Sequence, residues 1–376
     1  MKNNIIFFAN TLWFLNKFKY ELIKDISRDN KITCIYLREG PPYDIDKIKE
    51  LKRVNNVKFV NLKTFILNHI SSIIYSSLKL KRKNLSYQKI IIFTIGPILI
   101  SLFLPNFYKK KTVYVLEGLG RIFSSSKNIN QLLKIFIIRI YRFLFNKCNL
   151  VFVLNYHDYL FLLENKICPL HKIQVLPGTG LNYKEIDKAI NPIRKAPKYI
   201  DYIGRIIVEK GFYKFILTSL NFKNFYPELD KLFTFRIISP KDDIDNLTKD
   251  EINFLKKNNI VIKPYLAEPF YYYEQTKALI VPSTYGEGLS RVVLEASYIG
   301  IPILASKIRG IEEILPVDYK YFIESNNPFS IAKQLAEMLN DDKYFDKINT
   351  RQKSYIIKNF SSSISTSIFI RNLFKT

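Results

Sequence analysis

The chain has 376 residues, of which 48% are hydrophobic and 24% charged, so it can bury a sizeable core and is long enough for two domains. Its 12 glycines exclude collagen-like and flexible low-complexity chains. Three scattered cysteines and three histidines give no metal-binding spacing, and free thiols fit a reducing compartment. The apolar run after Met1 is too short for a secretory signal and predicts a buried first strand, so we expect a cytoplasmic protein.

The formal net charge of +25 is unevenly distributed along the chain. Residues 1–176 carry 29 Lys and Arg against 10 Asp and Glu, whereas the remaining residues carry 29 against 23. Between Glu50 and Glu117 there are 12 basic residues and no acidic one. A field of one sign predicts that the first half contacts a polyanion or an anionic membrane surface.

In the first half, short apolar runs alternate with amphipathic stretches, which predicts a parallel sheet with helices on both faces. The candidate strands are Ile5–Ala9, Lys31–Tyr36, Val57–Val60, Lys89–Phe93, Lys111–Leu116, Leu150–Leu154 and Lys172–Leu176. The uncharged segment Ile90–Phe107 is long enough to suggest a membrane span. Pro97 and Pro105 interrupt it, so we expect a strand, a turn at Gly96 and a helix instead.

After Pro177, residues 181–198 are polar and predict a linker. The alternation then restarts, with candidate strands Tyr199–Ile203, Thr234–Ser239, Ile260–Lys263, Ala278–Val281, Ile303–Ala305 and Lys320–Phe322, and candidate helices Gly211–Asn221, Gly288–Ile299 and Pro328–Asn340. The sequence therefore predicts two Rossmann-like, doubly wound α/β domains facing a cleft. They span residues 1–180 and 199–350, and a helical segment at 351–376 is expected to pack back on the first domain.

The first conspicuous motif is a strand–loop–helix junction. A candidate strand ends at Gly204, the loop carries Arg205 and Lys210, and a helix follows Gly211. Two cations at such a junction suit a diphosphate, because Arg grips two oxygens and Lys supplies a point charge near a positive helix N-terminus. The alternative is a surface loop with incidental basic residues.

The second motif, from Val281 to Ala296, joins a strand to a glycine-flanked turn and a helix. Glu287 lies in the turn, and Glu295 lies two turns further on, where a carboxylate can accept two ribose hydroxyls. The alternative for Glu295 is a solvated helix face. Backbone amides that can point at phosphate oxygens are those of Gly288, Leu289 and Ser290.

Glu287 and Glu295 form an E-x7-E pattern, and with it the chain resembles the retaining glycosyltransferases of the GT-B fold, specifically family 4, or group 1. The motifs G-R-x4-K-G at 204–211, P-S-x3-E-G at 282–288, L-E-A at 294–296 and G-x-P at 300–302 follow the family's order and spacing. Residues 10–18, 118–120 and 176–180 resemble a subgroup that acts in capsule, O-antigen and lipid-linked oligosaccharide assembly.

The resemblance implies transfer of a sugar, with retention of configuration, from a nucleotide-diphosphate sugar to a saccharide acceptor on a polyprenyl-diphosphate carrier. A UDP-sugar is the favoured donor, and no cofactor is expected. Arg205 and Lys210 would hold the donor diphosphate, Glu287 the transferred sugar and Glu295 the ribose. The implied catalytic residues are Glu287, Arg205 and Lys210, and the implied donor-binding residues are these three with Gly204, Gly288, Leu289, Ser290 and Glu295.

The residues predicted on the acceptor side are Asn16, Glu117, Gly118 and Gly120. Many relatives carry a histidine after the strand that here ends at Leu116, and this chain has Glu117 in its place. Glu117 either acts near the acceptor hydroxyl, the role in which we place it, or caps the turn. Pro264-Tyr265-Leu266 stands where relatives often have a glycine near the base, so the nucleotide base stays open.

D-x-D pairs occur at Asp44–Asp46 and Asp243–Asp245. Metal-dependent transferases of the other major fold use such a pair to hold Mg²⁺ or Mn²⁺. We expect neither pair to lie beside the phosphate motifs, so we interpret both as solvated and expect no bound metal.

Basic clusters at residues 79–83 and 109–111 flank the apolar segment. Residues 128–147 mix Lys and Arg with aromatic side chains. This pattern is typical of a helix lying in a membrane interface, and also of a core helix whose charges point outward. Considered by itself, this segment is interpreted as a core helix. Together the basic windows predict peripheral attachment at the inner face of the membrane.

Two other function classes fit parts of the sequence. A pI of about 9.7 suggests a nucleic-acid-binding protein, but we find no reader motif and expect no nucleic-acid partner. A sugar-nucleotide epimerase or a phosphorylase could share the fold. The sequence shows no environment for a pyridoxal-binding lysine, and an epimerase would need acid/base residues in the first domain.

Overall fold

The computed structural model describes residues 3–40, 45–62, 87–119, 123, 128–190, 197–265 and 270–375. The chain divides into two compact units, one formed by Met1–Gly180 with Ser362–Thr376 and the other by Leu181–Ser361. Each unit is a parallel α/β sheet with helices, so the prediction of two doubly wound α/β domains is confirmed.

The first unit is built on a seven-stranded sheet in the order β3-β2-β1-β4-β5-β6-β7. Its strands are β1 (Asn4–Thr11), β2 (Lys31–Arg38), β3 (Val57–Asn61), β4 (Lys89–Phe93), β5 (Thr112–Leu116), β6 (Leu150–Val153) and β7 (Ile173–Val175). Its described helices are α1 (Leu12–Ser27), α2 (Ile45–Lys52), α3 (Ile95–Ile100), α4 (Asn106–Lys109), α5 (Asn128–Lys147) and α6 (Tyr156–Glu164). These strands are rich in β-branched and aromatic residues, because most of their side chains are buried between helical layers.

The second unit has a six-stranded sheet in the order β10-β9-β8-β11-β12-β13. Its strands are β8 (Tyr199–Ile203), β9 (Thr234–Ser239), β10 (Val261–Pro264), β11 (Thr276–Val281), β12 (Ile303–Ser306) and β13 (Phe322–Ile323). Its described helices are α7 (Tyr183–Ala189), α8 (Phe212–Phe225), α9 (Pro227–Asp230), α10 (Lys241–Asp245), α11 (Lys249–Lys257), α12 (Phe270–Tyr273), α13 (Arg291–Ile299), α14 (Pro328–Leu339) and α15 (Asp342–Phe360).

In both sheets the strand order reverses once. The reversal falls between β1 and β4 in the first unit and between β8 and β11 in the second. In an open parallel sheet, the crevice at the carboxyl ends of the strands beside such a reversal is where ligands bind. The motif after β8 and the motif after β11 therefore meet at the reversal of the second unit.

The unit boundaries differ from the predicted ones in two places. The predicted linker, residues 181–198, contains helix α7, and Leu181 and Ile186 are buried in the core of the second unit. Helix α15 runs through the predicted boundary at residue 350 and stays in the second unit, where Leu181 pairs with Ser361.

The last helix, α16 (Ser362–Leu373), belongs to the first unit. Its Phe369 stacks on Phe152 of β6 with ring centroids 4.9 Å apart, and Ser365 donates a hydrogen bond to the Gly178 carbonyl. The shorter closing segment that packs on the first unit therefore begins at Ser362 rather than at residue 351.

The apolar segment Ile90–Phe107 is divided as expected into a strand, a turn and short helices, with β4 followed by α3, a 3-10 turn at Ser101–Phe103 and α4. Among the described residues, no helix is both long and apolar enough to cross a membrane.

The three cysteines, Cys34, Cys148 and Cys168, are free and buried. Burial raises the pKa of the Cys148 and Cys168 thiols to about 12 each, so they are packing residues rather than nucleophiles.

Candidate functional site

Two loops of the second unit are joined where β8 and β11 end. Gly211 has a φ of +77°, and a Cβ atom there would lie 2.2 Å from the carbonyl oxygen of Pro282. A side chain is therefore excluded on both backbone and steric grounds. Thr284 donates its backbone N–H to the Glu209 carbonyl at 2.8 Å. The loop that carries Lys210 is thus fixed against the loop that carries Glu287.

Lys210 and Glu287, from the two separate motifs, form an ion pair through Nζ and Oε1. Lys210 closes a 3-10 turn at Val208–Lys210, and its ammonium also lies 5.4 Å from the ring centroid of Tyr285. Both charged side chains are mostly buried, with 21% and 16% of their surfaces exposed. The structure therefore brings together two residues that are far apart in sequence and that the motifs assign to one site.

Arg205 pairs with Asp243, a residue that was predicted to be solvated and away from the phosphate motifs. Asp243, in α10, accepts hydrogen bonds from Nε and Nη2 of Arg205 at 3.3 and 3.2 Å. These bonds raise the pKa of Arg205, which stays ionised. The prediction that Asp243 is solvated and remote from the phosphate motifs is wrong, because only 12% of its side chain is exposed. Asp245 is exposed and pairs with Lys241. Asp44 lies outside the described residues.

The turn before α13 is held by a neighbouring loop. Ser290 donates its N–H to the Gly310 carbonyl at 3.0 Å, and Glu287 donates to the Arg309 carbonyl at 3.3 Å. The Ser290 amide is thus already used within the protein, which corrects its prediction as a phosphate donor. In the part of the chain that the structure describes, the Leu289 amide has no protein acceptor. The Gly204 amide is also used, since it donates to the Ile238 carbonyl at 3.0 Å.

Glu295 is 1% exposed and lies on the inward face of α13. Its Oε1 accepts a hydrogen bond from Nε of Arg291 at 2.7 Å, and its Oε2 accepts one from the hydroxyl of Tyr273 at 2.9 Å. Burial, followed by the charge of Glu295, raises the pKa of Tyr273 well above its usual value, so the hydroxyl stays protonated and donates. The alternative of a solvated helix face for Glu295 is therefore wrong.

The predicted acceptor-side residues lie in the first unit. Glu117, directly after β5, forms an ion pair with Lys19 of α1 at 2.8 Å, and Lys19 is 5% exposed. The Lys19 ammonium lies 4.9 Å from the ring centroid of Phe93. One turn earlier in α1, Asn16 is 3% exposed, and neither polar atom of its side chain has a partner among the described residues. Gly118 has a φ of +126°, and Gly120 lies outside the described residues.

Four partners of the predicted residues were missed by sequence reasoning: Lys19, Asp243, Tyr273 and Arg291. A signal existed for Lys19, because it falls on the buried face of α1 with Leu12, Leu15, Leu22 and Ile26. Arg291 also carried one, since it precedes Glu295 by four residues, the spacing of an ion pair on a helix. Asp243 and Tyr273 reach the site only through the tertiary fold. Over the described residues, no group of His, Cys, Asp and Glu side chains could hold a metal ion.

Comparison with known proteins identifies the second unit. The family model for glycosyl transferases group 1 matches residues 183–355, a little under half of the chain. The second unit carries a group 1 glycosyltransferase domain. The chain is 22% identical over 169 residues to CapM, a capsular polysaccharide biosynthesis glycosyltransferase of Staphylococcus aureus, and 24% identical over 266 residues to an uncharacterized glycosyltransferase of Methanocaldococcus jannaschii.

These alignments cover 44% and 68% of this chain, and they span 43% and 66% of the two relatives. The structure of HepE from Anabaena in complex with UDP and glucose superposes with a TM-score of 0.74 at 13% identity, covering 99% of each chain. At that identity the superposition establishes the fold, which is that of the GT-B glycosyltransferases.

Proposed function

We propose that this chain is a retaining glycosyltransferase of family 4 that moves a sugar from a nucleotide-diphosphate sugar, favouring UDP, to a saccharide acceptor on a polyprenyl-diphosphate carrier in capsule or O-antigen assembly. The observation that carries the proposal is the Lys210–Glu287 ion pair, which joins the two family motifs at the reversal of the second sheet. The family match of residues 183–355 and the likeness to CapM support it.

The reaction breaks the bond between the anomeric carbon and a diphosphate oxygen, and the diphosphate leaves with the electron pair. The acceptor hydroxyl oxygen forms the new bond on the same face, and its proton passes to the leaving diphosphate. Charge develops mainly on the diphosphate, so fixed cations beside it stabilise the transition state. Arg205 and Lys210 fill that role in the proposal, and no step requires a cofactor or metal.

Each proposed cation already has a carboxylate partner, since Arg205 pairs with Asp243 and Lys210 with Glu287. An ammonium has three N–H donors and a guanidinium has five, so both can keep these partners and bind phosphate oxygens as well. In this proposal the Glu287 carboxylate, which pairs with Lys210, also accepts a hydroxyl of the transferred sugar. The Gly288 and Leu289 amides would complete the phosphate contacts at the start of α13.

Glu295 would bind the ribose of the donor. A carboxylate offers about four acceptor positions, and Arg291 and Tyr273 each use one in the structure. The remaining positions suit two neighbouring ribose hydroxyls. The two protein donors fix the carboxylate plane before the nucleotide binds, which reduces the entropy lost on binding.

The Tyr273→Phe variant tests this arrangement, because it removes a single buried hydroxyl from Glu295. We expect the KM for the donor to rise roughly fivefold, as for the loss of one hydrogen bond to a charged group, with little change in kcat. Steady-state kinetics with varied donor measure the effect. The control is Tyr272→Phe, whose hydroxyl donates to the Pro264 carbonyl instead. Equal KM values in Tyr273→Phe and wild type would show that Glu295 is not held in this way.

Asn16, Glu117, Gly118 and Gly120 would serve the acceptor. Lys19 holds Glu117 in place, which supports a role near the acceptor hydroxyl over a simple turn cap. The positive φ of Gly118 turns the chain directly after this carboxylate. The side-chain amide of Asn16, which has no partner among the described residues, adds a second polar group on the same helix as Lys19.

We also propose that the first unit attaches peripherally to anionic lipid at the inner face of the membrane. Between residues 51 and 157 the sequence contains 18 basic residues and one acidic residue, Glu117. On α5, Ile135, Phe136 and Phe143 are exposed apolar side chains, and Lys109 and Lys147 lie over the Phe143 ring. Basic and aromatic side chains on one helix favour an interfacial position. The basic cluster at 79–83 lies outside the described residues.

The proposed activity is tested by incubating the purified chain with UDP- and GDP-sugars and an extract of lipid-linked saccharides. We expect release of UDP or GDP that depends on the acceptor and gives an α-linked product from an α-linked donor. EDTA should leave the rate unchanged, and loss of activity restored by Mn²⁺ would refute the metal-independent mechanism. Epimerisation of the donor sugar without its transfer to an acceptor would show that the protein is an epimerase instead.

A further inference from the structure

Asp243 is placed to organise the loop that follows β8. It lies in α10, directly after β9, and β9 is the neighbour of β8 in the sheet. Besides the two bonds to the Arg205 guanidinium, its Oδ2 accepts the backbone N–H of Ile206 at 3.0 Å. One mostly buried carboxylate thus holds both the side chain and the backbone of this loop.

The geometry leaves the guanidinium able to bind a second anion. Asp243 takes the edge formed by Nε and Nη2, and within the described residues both N–H groups of Nη1 stay available. The Arg205 side chain is 59% exposed despite this contact, so a ligand can reach it. An arginine on an exposed loop loses considerable rotamer freedom when it binds an anion, and a partner that orders it beforehand reduces that loss.

We propose that Asp243 is a positioning residue for the donor diphosphate: it orients the Arg205 guanidinium and fixes the Ile206 amide so that the loop is ready to receive the phosphates. This inference rests on the proposed function. Asp245 lies two residues later on the same helix. Among the described residues its carboxylate bonds only to Lys241, so it has no such role.

Competition is the opposite possibility, in which Asp243 neutralises Arg205 and must be displaced by the diphosphate. The Ile206 contact argues against it, because a diphosphate that displaced Asp243 from Arg205 would leave a backbone N–H to find another acceptor. The two possibilities predict opposite signs. Removing a positioning carboxylate weakens diphosphate binding, whereas removing a competitor strengthens it.

The test is calorimetric titration of UDP, UMP, GDP and GMP into wild type, Asp243→Ala, Asp243→Asn and the matched control Asp245→Ala. We expect Asp243→Ala to bind the preferred diphosphate about tenfold more weakly, as for the loss of charge-assisted hydrogen bonds. Asp243→Asn keeps an acceptor oxygen and should lose roughly threefold or less. Asp245→Ala should match wild type.

The ratio of UDP to UMP affinity, or of GDP to GMP when GDP is preferred, separates positioning from a general distortion of the site. A distorted site weakens both nucleotides alike, whereas the loss of a diphosphate contact weakens the diphosphate more. Binding by Asp243→Ala that equals or exceeds wild type, or a parallel loss for both nucleotides, overturns the positioning role. Wild type that binds neither UDP nor GDP refutes the proposed donor site itself.

Discussion

The Lys210→Ala and Arg205→Ala variants are each expected to lower kcat/KM by about 100-fold or more, the cost of removing one preorganised charge donor from a developing anion. For Lys210 the loss has two parts. The leaving diphosphate loses a cation, and Glu287 loses the partner that holds it in the mostly buried turn. Initial rates of nucleotide release over a range of donor concentrations measure both kcat and KM.

Lys214→Ala is the matched control for these variants. Lys214 follows Lys210 by four residues, lies in α8 and donates a hydrogen bond to Asn326, so its removal changes the charge of the region without touching the proposed site. Thermal unfolding of each variant shows whether the fold is intact. A Lys210→Ala enzyme that is folded and retains kcat/KM within about threefold of wild type would contradict the donor assignment.

Much of the fold could be predicted because each parallel strand is a short apolar run between helical stretches. Val113, Tyr114 and Val115 of β5, for example, are fully buried, and a strand buried on both faces is readable from composition alone. The predicted linker failed for a local reason. Residues 181–190 are polar on average, yet Leu181, just before α7, and Ile186 within it are both buried in the core of the second unit.

The donor site was predicted less completely than the fold. Lys210 and Glu287, which the structure pairs, could be predicted as one site because each belongs to a motif of consecutive residues beside a glycine. The partner of Arg205 was missed because Asp243 is brought to it by the adjacency of β8 and β9, which no local pattern specifies. The Ser290 amide was mispredicted for a similar reason, since its acceptor, the Gly310 carbonyl, lies on a different loop.

The other large effect is expected for membrane attachment. Replacing Lys110, Arg139 and Lys147 with glutamine should lower binding to anionic vesicles roughly 100-fold, because each basic residue near such a surface contributes about 1 kcal/mol. Lys110 and Arg139 are exposed, and Lys147 is half-buried with its ammonium 4.3 Å from the Phe143 ring centroid. The measurement is co-sedimentation with phosphatidylglycerol-containing vesicles at low salt, with neutral vesicles in parallel.

The matched control removes three charges from the second unit by replacing Lys223, Lys256 and Lys257, all exposed, with glutamine. A nonspecific effect of net charge would weaken vesicle binding equally in both triple variants, whereas a defined docking face weakens it only in the first.

Salt should release the wild-type chain from anionic vesicles, because the Debye length falls from about 10 Å at 0.1 M to about 3 Å at 1 M ionic strength. Phe136→Ser should weaken the binding that persists at high salt, since the exposed ring would contribute apolar contact with the lipid. Equal binding to neutral and anionic vesicles, or equal losses in the two triple variants, would exclude attachment through this face of the first unit.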